Sequence, residues 1–100
     1  MPKIKVSVPH SLNPDEAVRR IKNLVKDIKA QFADKVSDVR EEWTGSNGEF
    51  GFKVMGFDIA GTVQVDAREV QIQSNLPFAA SPFKGRIEAV IVERARQLLS

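Results

Sequence analysis

The chain predicts an α+β fold of two layers: a five-stranded antiparallel sheet, strand order 2-3-4-5-1, with two helices packed on one face in the chain order βαββββα. Three observations carry that expectation. Between Phe50 and Leu76 three consecutive runs alternate apolar and polar residues with period two: Phe50, Phe52, Val54; then Phe57, Ile59, Gly61, Val63, Val65; then Val70, Ile72, Ser74, Leu76. The turns between them are short enough to keep every bulky apolar group on one face. Two further stretches open on a polar residue followed by proline and then repeat apolar residues at spacings of three and four, as helices do.

Taken in order, Lys3 to Val8 alternates so that Ile4, Val6 and Val8 point inward, and Pro9 ends the strand. Asn13 offers a side-chain oxygen to the amides of the next segment, Pro14 fits the first helical position, and Asp15 and Glu16 suit the positive end of the helix. Ala17, Val18, Ile21, Leu24, Val25, Ile28 and Phe32 form its apolar stripe. One helix from Pro14 to Asp34 would measure about 31 Å, enough to cross the sheet. Val39 to Thr44 reads as a short strand. In the Gly45-Ser46-Asn47-Gly48 turn, taking Asn47-Gly48 as the two-residue loop sets Trp43 opposite Phe52, both inward. A Met55-Gly56 loop keeps Val54 and Phe57 inward, and a turn from Asp66 to Glu69 does the same for Val65 and Val70. Ser81 and Pro82 then start a second helix marked by Phe83, Ile87, Val90, Ile91 and Leu98, in which Gly85 either delays the start or marks a close backbone approach. The first strand returns beside the last, and the whole resembles a trimmed helix-grip fold.

A chain of 100 residues is a single domain, residues 1–100, with one modest core. Fifteen Lys and Arg against thirteen Asp and Glu leave a net charge of +2, too small to imply nucleic acid. The bases are concentrated early: residues 1–35 hold eight bases and four acids, the remainder seven and nine. The absence of cysteine rules out disulfides and thiolate metal sites and suits a reducing cytoplasm. No signal peptide or membrane-spanning run is apparent, so a soluble cytoplasmic protein is expected.

The inner face has a gap. One cross-strand row holds Phe50, Gly61 and Ser74, while the next holds Trp43, Phe52, Ile59 and Leu76. Either the Phe50 ring lies over Gly61 and a helix side chain such as Phe83 fills the rest, or a small apolar cavity remains that could take an acyl chain. Trp43, Phe50, Phe52, Gly61, Ser74 and Phe83 are the candidate pocket.

Catalytic chemistry finds little support. His10, between a strand and a helix cap, has no Ser, Cys or acid placed with it and reads as a loop histidine bonded to backbone. Asp58 and Asp66 are eight residues apart on one strand, about 27 Å, and cannot share a bond; Glu41, of inward parity, reaches the rim. Neither a metal-ligand spacing nor a phosphate loop is present, and no cofactor is expected. Arg19, Lys22, Lys26 and Lys29 form a basic stripe opposite the core face of the first helix, either a solvated face or a contact for an anionic surface. The outer sheet face, with Gly51, Ala60, Thr62, Gln64, Gln71 and Gln73, is mild enough for homodimerisation, and without aromatic platforms it does not suit RNA.

The segments IKVSVPHSLNPDEAVRRI, EEWTG, FKVMGFDIAGTVQV, and LP followed by KGRIEAVI, in that order, resemble the putative polyhydroxyalkanoic acid system protein family, over Ile4 to Leu99. The family consists of small bacterial proteins often associated with polyester granule gene regions. The resemblance implies a non-enzymatic accessory role in polyhydroxyalkanoate storage at the granule surface; it supplies no catalytic residues, and His10, Trp43, Gly56, Gly61, Pro77 and Gly85 are the positions it carries over. A module binding an acyl ligand between sheet and helices, and a homodimerising interaction domain, are the alternatives.

Overall fold

In the computed structural model, which describes residues 2–31, 33–54 and 56–100, the alternating runs form strands β1 (Lys3–Pro9), β2 (Val36–Thr44), β3 (Asn47–Val54), β4 (Phe57–Val65) and β5 (Glu69–Asn75). They make one antiparallel sheet in the order β1-β5-β4-β3-β2, as the parity argument requires. Helices α1 (Pro14–Ile21), α2 (Asn23–Gln31) and α3 (Lys84–Leu99) cover its inner face, and a 3-10 segment, Phe78–Phe83, leads into α3. Phe32 and Met55, an expected helix core position and an expected loop residue, lie outside the described residues.

The start of α1 follows its sequence signals: the Asn13 Oδ1 accepts from the Glu16 N–H at 2.9 Å, with Pro14 at the first position. The single helix expected from Pro14 to Asp34 is instead interrupted at Lys22 and ends at Gln31. Asn23 supplies a local reason, because its side-chain amide donates to the Arg20 carbonyl at 3.3 Å and competes with the helical ladder. The break separates two contacts: α1 lies against β4 and α3, α2 against β2 and α3.

The β2–β3 hairpin also differs from expectation. Thr44 pairs with Asn47 and Trp43 with Gly48, so Gly45-Ser46 is the loop rather than Asn47-Gly48. Gly45 adopts φ 60°, where a side chain is disfavoured. Contacts across the sheet settle the choice. The Val65 N–H reaches the Ser46 carbonyl at 2.9 Å, and the Trp43 ring lies so close over Gly48 that a Cβ there would be 2.7 Å from it. The change preserves parity, so Trp43 still faces inward, but its row is Trp43, Gly48, Val63, Ile72 and Val6, not that of Phe52 and Ile59. β2 begins at Val36, three residues before the expected start, and a register shift between Ser37 and Arg40, with Asp38 at φ 53°, turns both Val36 and Val39 inward. The remaining turns are as counted: Val54 pairs with Phe57, and Val65 with Val70.

The dense core joins β1, β5 and the later part of β4 to α1 and the C-terminal half of α3, with Val8, Ala17, Ile21, Val70, Ile72, Ala95 and Leu99 buried. The packed stripe of α3 runs Ile87, Ile91, Ala95, Leu98 and Leu99. That leaves Phe83 and Val90, both expected on the core face, 57% and 49% exposed. Ser81-Pro82 forms part of the 3-10 turn, the Ser81 carbonyl receiving the Lys84 N–H, so α3 starts only at Lys84 and its apolar stripe is carried by residues further on.

Candidate functional site: an apolar cavity at the open end of the sheet

The strand registers define two ends. At one lie the β2–β3 loop, the β4–β5 turn, the β1–α1 connection, the start of α1 and the end of α3; at the other lie the β3–β4 connection, the 3-10 segment, the end of α2 and the start of α3. The second end is open.

Toward it from the middle of the sheet, the row of Phe50, Gly61 and Ser74 crosses the strands as anticipated, and the structure extends it to Ile4. The Phe50 ring covers Gly61, where a Cβ would collide with both Phe50 Cζ and the Gln73 carbonyl oxygen, and it stacks with Phe52 at 6.2 Å between centroids. Phe83 borders the remaining space but does not fill it. A cavity of about 500 Å3 therefore persists between sheet and helices. Trp43, Phe50, Phe52, Ser74 and Phe83 line it, whereas Gly61 lies beneath the Phe50 ring.

Sequence reasoning missed other parts of the wall, among them Val25, Ile28 and Lys29 of α2, Val36 and Val39 of β2, and Ala79 and Ala80 of the 3-10 segment. Val25 and Ile28 carried a signal as members of the helical stripe. Val36 carried none, because the bulge breaks the alternation that would have revealed it. Ser74 contributes the one hydroxyl among the described lining residues, and its Oγ donates to the Asn75 carbonyl at 2.9 Å.

The members of the basic stripe stand in different surroundings. Glu16 accepts from both Arg19 and Arg20, and these bonds, that of Arg19 foremost, lower its carboxyl from 4.5 to about 2. Lys22 sits 5.5 Å above the Trp43 ring, Lys29 lines the cavity, and Lys26 is exposed. The Trp43 Nε1–H donates to the Glu41 carboxylate at 2.8 Å, at the sheet edge opposite Phe50.

His10 belongs to the closed end. Its Nδ1 accepts from the Leu12 N–H at 3.1 Å, which leaves Nε2–H to donate to the Asp66 carbonyl at 2.8 Å, and its own N–H donates to the Arg68 carbonyl. Asp66 caps its turn by accepting from the Arg68 and Glu69 N–H groups, which hold its carboxyl below the usual range. Asp58 and Asp66 stay apart at opposite ends of β4. Among the described residues no three of His, Cys, Asp or Glu are grouped to hold a metal ion.

The model of the putative polyhydroxyalkanoic acid system protein family matches residues 4–99. The chain belongs to that family. For this polyhydroxyalkanoic acid system protein no curated protein gives a match. Among solved structures it is similar to the crystal structure of Ara h 8.0201, with TM-score 0.54 and 6% identity over 98% of this chain and 97% of that one. At that identity the likeness concerns the fold alone, and it identifies the sheet and its covering helices as a helix-grip arrangement. The crystal structure of TTHA0849 from Thermus thermophilus also matches, at 11% identity over 98% and 92% of the two chains, but its TM-score of 0.35 is too low to bear on the fold. Among the described residues of this family member, no helix is long and apolar enough to cross a membrane.

Proposed function

We propose that this protein is a non-enzymatic accessory component of polyhydroxyalkanoate metabolism in the bacterial cytoplasm, and that it holds an acyl chain in the cavity between its sheet and helices. One observation carries the reading: a space of about 500 Å3 walled by aliphatic and aromatic side chains in a protein of the polyhydroxyalkanoic acid system. Such a volume lies within the range of small-molecule pockets, and an apolar wall rewards the removal of hydrocarbon from water. The test is a titration of the isotope-labelled protein with a medium-chain hydroxy acid. Amide shifts are expected along the Phe50, Gly61, Ser74 and Ile4 row, and spectra unchanged at millimolar ligand would refute the reading.

Granule association is a second reading, favoured by the phenyl groups of Phe57, Phe78 and Phe83, which stand 48%, 73% and 57% exposed at the open end. It expects co-sedimentation with polyester granules that falls when Phe78 and Phe83 are both replaced by serine. Replacing Arg19, Lys22, Lys26 and Lys29 by glutamine has the smaller effect, since Arg19 is engaged by Glu16. Retention of the Phe78→Ser/Phe83→Ser variant at the parent level would remove this reading.

A further inference from the structure

We infer that the cavity takes an amphiphile with a single anionic head, its carboxylate held at the open end by Lys29 and its apolar chain directed inward; the inference rests on the cavity reading above and specifies the ligand's class and orientation. The interior decides the direction. The Ser74 hydroxyl already donates to the Asn75 carbonyl, and the Asn75 carboxamide is held by β4, accepting from the Ala60 N–H at 2.7 Å and donating to the Asp58 carbonyl at 3.0 Å. A carboxylate drawn past them would meet apolar walls, and an ionised group without partners in such surroundings costs far more than its chain gains by burial. The head must stay at the mouth.

Lys29 is the charged residue among the described lining side chains. It stands in the last turn of α2, one turn beyond Val25 and next to Ile28, both of which line the same wall. Its stem can follow that wall while the ammonium reaches water. Among the described residues no carboxylate lies within ion-pair distance of it. Lys22 offers no equivalent site, because it lies over the Trp43 ring and the Glu41 carboxylate already occupies that corner through the indole N–H. A neutral amphiphile would gain nothing from Lys29, so the head group is where the two classes separate.

The test compares decanoate with decanol by calorimetry at neutral pH and low salt, using the parent, Lys29→Gln, Lys29→Glu and Lys29→Arg. An exposed charge pair predicts that Lys29→Gln weakens decanoate about two- to fivefold, an effect that shrinks as salt is added. Lys29→Glu should weaken it further, Lys29→Arg should restore it, and decanol should bind all four alike. Decanoate binding that is indifferent to Lys29→Glu, or decanol weakened in parallel, overturns the head-group assignment and leaves the acyl cavity standing. If neither compound binds the parent, the cavity reading fails and this inference fails with it.

Discussion

The two ends of the sheet carry the same inward-facing pattern and different packing. At the closed end Val8 and Val70 pair across β1 and β5 with no exposed surface, Leu99 and Ala17 are buried nearby, and polar contacts fasten the periphery: His10 to the β4–β5 turn, Val65 to the β2–β3 loop, and the Arg20 guanidinium to the Ser100 carbonyl. At the open end the inward row continues through Phe57 and Val54, but α2 and the start of α3 leave space beneath them and phenyl groups face water. The contrast shows that an apolar sheet face is necessary for a core but does not suffice. Density comes from where the helices converge, and where they diverge the same face becomes a cavity wall.

Four measurements would break or sharpen that contrast. The largest effect is expected from Leu99→Ala at the closed end, a truncation at a side chain only 4% exposed. It should cost about 2–5 kcal/mol in urea unfolding, whereas Phe83→Ala at the open end should stay within about 0.5 kcal/mol. Equal losses would mean that the open end is as tightly packed as the closed one. Gly61→Ala, whose new Cβ would meet both the Gln73 carbonyl oxygen and the Phe50 ring, should cost about 1–3 kcal/mol. A neutral result would show that Phe50 moves freely and that the row is not a constraint.

Gly85→Ala should act in the opposite direction. Nothing lies within 4 Å of a Cβ placed there, so neither a close approach nor a strained backbone requires the glycine. A gain of up to about 1 kcal/mol is expected in the same unfolding experiment. A loss would reveal a tighter start to α3 than the structure shows. The smallest effect concerns acid. The Glu16 carboxyl is lowered in the folded state from 4.5 to about 2, so its contribution is present above pH 4.5 and is lost as pH falls toward 2. Its side chain is 28% exposed and the pair lies at the surface, so the effect is also weakened by salt. Melting temperatures of the parent and Glu16→Gln should converge across that window, and a constant difference between them would show that the pairing with Arg19 and Arg20 does not stabilise α1.

Most of the sheet was legible because its information is local and tolerant of error. Side chains alternate with period two, so moving the β2–β3 loop from Asn47-Gly48 to Gly45-Ser46 changed the partners of Trp43 and left its face unchanged. The Phe50, Gly61 and Ser74 row survived for the same reason, and with it most of the candidate site. What failed depended on distant contacts. The packing of the Trp43 ring over Gly48 and the bond from Val65 to Ser46 selected between two glycine-containing loops that the local sequence allows equally. The Asn23 bond to Arg20 interrupted a helix that periodicity alone continues.

By itself the sequence determined five strands, the hairpin neighbours β2 to β5, the inward face, the capped start of α1, and a thin row at Gly61 and Ser74, since each follows from short-range sterics and hydrogen bonding, and counting strand directions then set β1 beside β5. Only the tertiary structure decided whether that thin row would be filled. The answer depends on where α2 and the 3-10 entry to α3 stand over the sheet, and such placement arises from packing between elements far apart in the chain, which no short window of residues encodes.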